Sequence, residues 1–116
     1  MIGATLRMIV LPEKREEFLR NIRGILEPTR VEPGCKSYHF YQDIENENAF
    51  ILVEEWEAKA SLDSHIHKDS YRILLNLMDL LSEPPQISFN TISTTRGMEY
   101  IGEVLGLDKS EKLNQN

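Results

Sequence analysis

Segments of two-residue periodicity alternate with segments of helical periodicity along the 116-residue chain. Thr5 to Leu11 is apolar and rich in β-branched residues, which predicts a strand. After Pro12, apolar residues recur at helical spacing up to Pro28, which should kink or end that helix. Strand composition returns from Cys35 to Gln42 and from Ala49 to Trp56, with a polar turn between, so the two segments predict a hairpin.

The second half of the chain continues this alternation. Ser61 to His65 predicts one short helical turn, and the apolar stripe from Asp69 to Leu81 predicts a longer amphipathic helix. Ile87 to Thr91 then alternates as a last strand. The order β-α-β-β-α-β is typical of a ferredoxin-like α+β fold, an antiparallel sheet with both helices on one face.

A C-terminal extension follows this domain. We assign residues 1–92 to the domain and residues 93–116 to the extension. Gly97 to Leu105 has helical spacing and predicts a short docked helix, although its glycines disfavour helix formation. Asp108 to Asn116 is polar, and we expect it to be mobile.

The third predicted strand is apolar on both faces, because Ala49 to Val53 contains no polar residue. Two helices cover only one face of such a sheet, and a second copy is the simplest cover for the other. We therefore predict a homodimer, a dimeric α+β barrel, that buries either Ile51 and Val53 or Phe50 and Leu52. In the alternative, the C-terminal segment folds across that face.

Composition excludes several classes of partner. The 13 basic residues are outnumbered by 19 acidic ones, for a net charge of −6, which disfavours nucleic acid. No apolar run approaches the roughly 20 residues of a membrane-spanning helix, and the first residues lack the pattern of a signal peptide. The single cysteine, Cys35, forms no internal disulfide, so we expect a cytoplasmic location.

Two motifs suggest a family. One is Glu54-Glu55-Trp56 followed by Leu62 and His65, which resembles the E-x-W…AL-x-x-H pattern of antibiotic biosynthesis monooxygenase domains. The other is Glu32-Pro33-Gly34-Cys35 with Tyr38, which is similar to the same family's entry to its second strand. Tyr71 stands where such domains usually carry an aromatic residue. The resemblance extends from Thr5 to about Ile92, and it implies a ligand cavity between the sheet and the helices.

The resemblance also implies a range of reactions, because fold does not fix chemistry. Relatives include cofactor-independent monooxygenases that oxidise quinols or phenols with O₂, haem-degrading enzymes and an isomerase of a phosphorylated sugar derivative. The haem-degrading members carry ligand residues at positions that fall near Leu6 and near Leu74 or Leu75, which are aliphatic here. We therefore expect no cofactor. We also expect no metal, because His65 and His67 diverge on a helix.

His65 is the leading candidate for catalysis, since an imidazole takes a phenolic proton near neutral pH. We expect it to be partly exposed beside the cavity; the alternative is a bond to a backbone carbonyl at a helix end. Glu54 is the second catalytic candidate, because a carboxylate on an apolar strand face needs a partner. It either orients His65 or holds a substrate hydroxyl, or it forms an ion pair with Arg7 or Arg30.

Three further residues are candidates for binding substrate. Trp56 shares a face with Glu54 and is suited to stack on a planar substrate, although a tryptophan in this setting more often belongs to the core. Tyr71 lies on the apolar stripe of its helix, where it serves either packing or the cavity. His39 is the weaker candidate, because it and Tyr38 point to opposite faces of the second strand.

These observations favour a cofactor-independent monooxygenase that oxidises a quinol or related aromatic molecule with O₂. One alternative is an isomerase or tautomerase in which His65 and Glu54 move a proton. Another is a ligand-binding module without turnover. A phosphorylated substrate would need converging Arg or Lys residues, and no basic cluster lies near the motifs, so the monooxygenase is preferred.

Overall fold

Four antiparallel strands form a single sheet in the computed structural model, which describes residues 1–107. The strands are Ile2–Ile9 (β1), Cys35–Asp43 (β2), Asn46–Trp56 (β3) and Gln86–Thr91 (β4). The α-helices are Arg15–Arg30 (α1), Lys59–Ile66 (α2), Asp69–Asn76 (α3) and Glu99–Leu105 (α4). Single 3₁₀ turns precede α1 at Pro12–Lys14 and follow α3 at Leu77–Leu80.

The strand order β2-β3-β1-β4 confirms the predicted ferredoxin-like α+β fold. β1 is central because it pairs with β3 on one side and with β4 on the other. The register places Leu6 opposite Leu52 and opposite Ile87. β2 and β3 form the predicted hairpin, with Asp43 paired to Asn46 across a two-residue turn.

The core lies between one face of the sheet and helices α1 and α3. Alternation along β3 buries Phe50 and Leu52 in this core and turns Ile51 and Val53 to the opposite face, where both stay only partly buried. The open face of the sheet is therefore the one that carries Ile51 and Val53. Of the two faces considered for a dimer, this is the one the helices leave uncovered.

Helix α4 is exposed. None of its residues is buried, and Ile101 and Val104 are 47% and 67% exposed. The predicted mobile segment from Asp108 to Asn116 lies outside the described residues. Within residues 1–107, no helix has both the length and the apolar character needed to cross a membrane.

Most elements begin or end one to a few residues away from the sequence prediction; β3, for example, begins at Asn46 rather than Ala49. The first strand ends at Ile9 rather than Leu11, because the chain turns there into the 3₁₀ segment at Pro12. α1 continues past Pro28 to Arg30, since a proline in the last turn removes only one helical hydrogen bond. The helix from Asp69 ends at Asn76, and after the following 3₁₀ turn Leu81 pairs with Val10.

Candidate active site

The end of β3 places two adjacent polar groups on the covered face of the sheet. Glu54 and Trp56 are two residues apart, so both point toward the helices, and they are 1% and 0% exposed. The indole Nε1–H of Trp56 donates to Glu54 Oε1 at 3.0 Å. The carboxyl group therefore has one fixed partner inside the core.

Helix α2 adds an imidazole to this pair. Leu62 and His65 lie one turn apart and are its buried residues, so both face the sheet. The His65 ring stacks on Trp56 with 4.5 Å between ring centroids. Tyr38 and Tyr71 meet it edge-on at 5.8 Å and 5.3 Å. Three aromatic rings from three different elements thus enclose the imidazole.

The loop between α1 and β2 brings a second carboxylate to His65. Both oxygens of Glu32 lie near His65 Nδ1, at 3.0 Å and 3.1 Å. The loop reaches α2 because Gly34 has φ +82°, and a Cβ there would overlap the Ser61 side chain. The Gly34 carbonyl also accepts from the backbone N–H of Glu57 at 2.8 Å, which fixes the loop against the end of β3.

The other ring nitrogen of His65 has no hydrogen-bond partner among the described residues. It lies 3.8 Å from Glu54 Oε1, beyond hydrogen-bond distance. Glu54 Oε2 is likewise buried and unpartnered within residues 1–107. Buried polar atoms without partners are costly. Nε2 of His65 and Oε2 of Glu54 are therefore the atoms with capacity left to bind a polar group.

Burial sets the protonation states of the two groups. It raises the pKa of Glu54 to about 7, with the Trp56 hydrogen bond opposing this shift and the charge of Glu32 adding to it. Burial lowers the pKa of His65, and the neighbouring Glu32 carboxylate partly offsets this. Near neutral pH the site therefore holds an uncharged imidazole beside a carboxyl group that is close to its own pKa.

The two tyrosines remain protonated in the same range. Burial raises the pKa of Tyr38, and the charge of Glu54 raises it further. The same two causes, in the same order, raise the pKa of Tyr71. Both rings therefore line the imidazole as neutral, largely apolar surfaces.

Four of the five candidate residues come together here, namely His65, Glu54, Trp56 and Tyr71. His39 does not join them: it lies on the opposite face of the sheet, and its ring neighbours Tyr41 at 6.2 Å.

The expectation that His65 is partly exposed was wrong. The side chain is fully buried, because Trp56, Tyr38 and Tyr71 close around it. Its bond partner is the Glu32 carboxylate rather than a backbone carbonyl.

Glu54 pairs with neither arginine that the sequence offered. Arg7 lies 3.8 Å from Asp43, and Arg30 donates to Glu27 and to the Tyr38 carbonyl.

Sequence reasoning missed the contribution of Glu32. It stands 33 residues from His65, and only its place in the Glu32-Pro33-Gly34-Cys35 motif distinguished it from the other acidic residues.

His67 stays apart from the cluster, since its Nδ1 donates to the Asp63 carbonyl at 2.8 Å in an exposed position. Among residues 1–107, no group of three or more His, Cys, Asp or Glu side chains is arranged to hold a metal ion.

Comparison with known proteins identifies a family and a curated relative that this chain resembles. The family model for antibiotic biosynthesis monooxygenase matches residues 1–73, which contain Glu32, Glu54, Trp56, His65 and Tyr71. Protein sll1783 of Synechocystis sp. is 38% identical over 88 residues, which are 75% of this chain. The match covers 60% of that relative, so the chain spans about three fifths of its length.

Solved structures share the fold. A conserved protein from Methanosarcina mazei Go1 is 33% identical, with a TM-score of 0.73 over 77% of this chain and 89% of that one. Rv0793 from Mycobacterium tuberculosis superposes with a TM-score of 0.76 over 83% of this chain and 98% of that one. At 22% identity, the latter supports the fold alone.

Proposed function

The chain belongs to the antibiotic biosynthesis monooxygenase family, and on that premise we propose that it oxidises a quinol or related aromatic molecule with O₂ and without a bound cofactor. His65 is the general base in this proposal, and Glu54 assists it. Trp56 and Tyr71 contact the aromatic ring of the substrate. The observation that carries the proposal is the unpartnered Nε2 of His65, enclosed by aromatic rings and next to a carboxyl group.

The reaction begins with transfer of a phenolic proton from the substrate to Nε2 of His65. The resulting phenolate is electron-rich enough to pass an electron to O₂ directly. Over the whole reaction a quinol and O₂ give a hydroxyquinone and water: one oxygen atom enters the ring, the other leaves as water, and the substrate supplies all four electrons. The Glu32 carboxylate beside Nδ1 stabilises the imidazolium formed in the first step.

Substrate access requires a local opening of the structure. His65, Glu54 and Trp56 are at most 1% exposed, so a ligand reaches Nε2 only when neighbouring side chains move. Tyr71, at 7% exposure, lies at the edge of the cluster on the short helix α3. A rotation of this side chain would expose one edge of the imidazole, and such openings limit turnover in many enzymes.

Oxygen uptake tests the proposal directly. Metal-stripped protein is mixed with a panel of quinols and polyphenols, and consumption of O₂ is compared with a protein-free blank. We expect uptake with at least one quinol and a decrease in kcat of about 10²- to 10⁴-fold in His65→Ala. His67→Ala is the matched control, because that imidazole is exposed and outside the cluster, and it should keep the wild-type rate. Absence of uptake across the panel, or a folded His65→Ala with the wild-type rate, would contradict the assignment.

A second candidate, an isomerase or tautomerase, is favoured by one specific observation. A carboxyl group with a pKa of about 7 next to a neutral imidazole is an acid–base pair able to move a proton between two atoms of one substrate. Such a reaction needs no O₂. Deuterium incorporation into enolisable carbonyl compounds under argon, lost in His65→Ala and kept in His67→Ala, would identify this activity instead.

A further inference from the structure

The contact between Glu32 and His65 joins the imidazole to a carboxylate at hydrogen-bond distance. The two carboxylate oxygens lie 3.0 Å and 3.1 Å from Nδ1, and the Glu32 side chain is only 12% exposed. The backbone holds Glu32 in place from both directions, because its N–H donates to Thr29 and its carbonyl accepts from Cys35. The loop therefore fixes the backbone of Glu32, and its carboxylate also accepts from the Ser70 hydroxyl at 3.4 Å.

This contact decides which ring nitrogen carries the proton. An ionised carboxylate only accepts hydrogen bonds, so Nδ1 of His65 must be the donor. In the neutral ring the proton then resides on Nδ1, and Nε2 holds the lone pair. Nε2 is the buried atom that lacks a partner among the described residues and lies 3.8 Å from Glu54 Oε1.

We propose, on the basis of the proposed function, that Glu32 is a positioning residue: it holds the proton of His65 on Nδ1 and so makes Nε2 the atom that takes the proton of the substrate. Glu32 does not touch the substrate in this arrangement. It acts through the imidazole, first by selecting the tautomer and then by stabilising the charged ring. Without it, the neutral ring is free to protonate Nε2, which then has no lone pair for a substrate proton.

The arrangement also selects the kind of group that binds. Nε2 accepts a hydrogen bond, and a protonated Glu54 donates one through Oε2, so together they match a hydroxyl group, which both donates and accepts. An anionic group would face the Glu32 carboxylate without a compensating cation, because no Lys or Arg within residues 1–107 pairs with Glu32 or Glu54. The site therefore fits an uncharged hydroxyl group.

Several other titratable groups face the ring. The remaining titratable neighbours are Glu54 from β3, Tyr38 from β2 and Tyr71 from α3. The two tyrosines meet the ring edge-on with their centroids more than 5 Å away, and burial keeps both protonated. Burial lowers the pKa of His65, and Glu32 is the charged neighbour that opposes this shift.

The tautomer is measured without any substrate. The chain has three histidines, so His39→Gln/His67→Gln leaves His65 as the only imidazole for two-bond ¹H–¹⁵N NMR near neutral pH. We expect the proton on Nδ1 and the chemical shift of an unprotonated nitrogen at Nε2. In the same background, Glu32→Ala should change the tautomer ratio by about tenfold or more toward Nε2–H, since hydrogen bonds to charged groups are of that strength. Glu32→Gln keeps an oxygen acceptor and should retain the Nδ1–H form, and so should the exposed control Glu57→Gln.

A wild-type ring protonated on Nε2, or a folded Glu32→Ala with an unchanged tautomer ratio, would overturn the proposal. If alanine prevents folding, the wild-type spectrum still tests the proposal, because a ring protonated on Nε2 overturns it. On any quinol that supports O₂ uptake, Glu32→Ala should lower kcat by at least about tenfold and leave KM nearly unchanged. Failure of the wild type to consume O₂ would refute the monooxygenase proposal alone, because the NMR result assigns the role of Glu32 independently.

Discussion

Replacing Glu54 by glutamine should increase the stability of the protein relative to the wild type progressively as the pH rises from about 4.5 to about 7. The ordinary pKa of this carboxyl is 4.5, and burial raises the pKa of Glu54 to about 7 in the folded protein. Between these values the unfolded chain ionises Glu54 and the folded protein keeps it protonated. The unfolded state then binds fewer protons, so the free energy of unfolding falls as the pH rises.

The size of the effect follows from the difference between the two pKa values. One pH unit corresponds to about 1.4 kcal/mol, so the wild type loses about 3 kcal/mol of stability across this range and loses no more above it. Glutamine has nearly the same shape as glutamic acid and no charge. Its amide changes the hydrogen bonding of the site by an amount independent of pH, so this contribution cancels when values at different pH are compared.

Urea denaturation of the wild type and of Glu54→Gln at equal protein concentration, from pH 4 to pH 8.5, measures this difference. Glu55→Gln is the matched control, because Glu55 lies on the opposite face of the same strand, bound to Ser37. It reports what the loss of one carboxylate does to a protein with a net charge of −6. A stability difference that stays constant with pH, or one that turns against the glutamine variant as the pH rises, would refute the assignment of a raised pKa to Glu54.

Three other changes probe the fold around this site. His65→Ala should lower the free energy of unfolding by about 3 kcal/mol in urea denaturation, because it leaves a cavity among the enclosing aromatic rings. In the same assay, His67→Ala should change the free energy of unfolding by less than about 0.5 kcal/mol, because His67 is exposed. Val53→Asp on the open sheet face should convert a dimer into a monomer, or unfold the protein, in sedimentation velocity at micromolar concentration; a wild type that sediments as a monomer would contradict the predicted interface. Gly34→Ala should lower the melting temperature, because its φ is +82° and the new methyl meets a serine of α2, whereas Gly24→Ala, with open space around it in α1, should raise it.

The sequence predicted the order of the elements well, because that order depends on local periodicity. Alternation along Ala49 to Trp56 already placed Glu54 and Trp56 on one face, and the register of β3 follows it. Helix ends were predicted less well. Pro28 is a strong helix breaker only in a helix interior, and its position near the end of α1 became evident only from the structure.

The burial and the partners of the candidate site residues could not be predicted from local sequence patterns. Whether His65 is exposed depends on how α2 leaves β3 and on how closely the Gly34 turn approaches α2, and neither has a periodic signal. The partnership of Glu32 with His65 joins residues 33 positions apart through that same turn. The motif that contains Glu32 was recognised by resemblance, but its physical role required the three-dimensional contact.

The stability cost of the cluster is itself an argument for its chemical role. An apolar side chain in place of Glu54 would fill the core without an unpartnered oxygen, and a neutral isostere would escape the loss of stability above pH 4.5. Buried groups that weaken a fold and have shifted pKa values are concentrated at sites that bind or react. His65 and Glu54 fit that description, because both are buried beside aromatic rings and each has one polar atom without a partner among the described residues. Glu54→Gln is therefore informative in two assays. A gain in stability relative to the wild type above pH 4.5, together with a loss of O₂ uptake, would show that this carboxyl lowers the stability of the fold and is needed for the reaction.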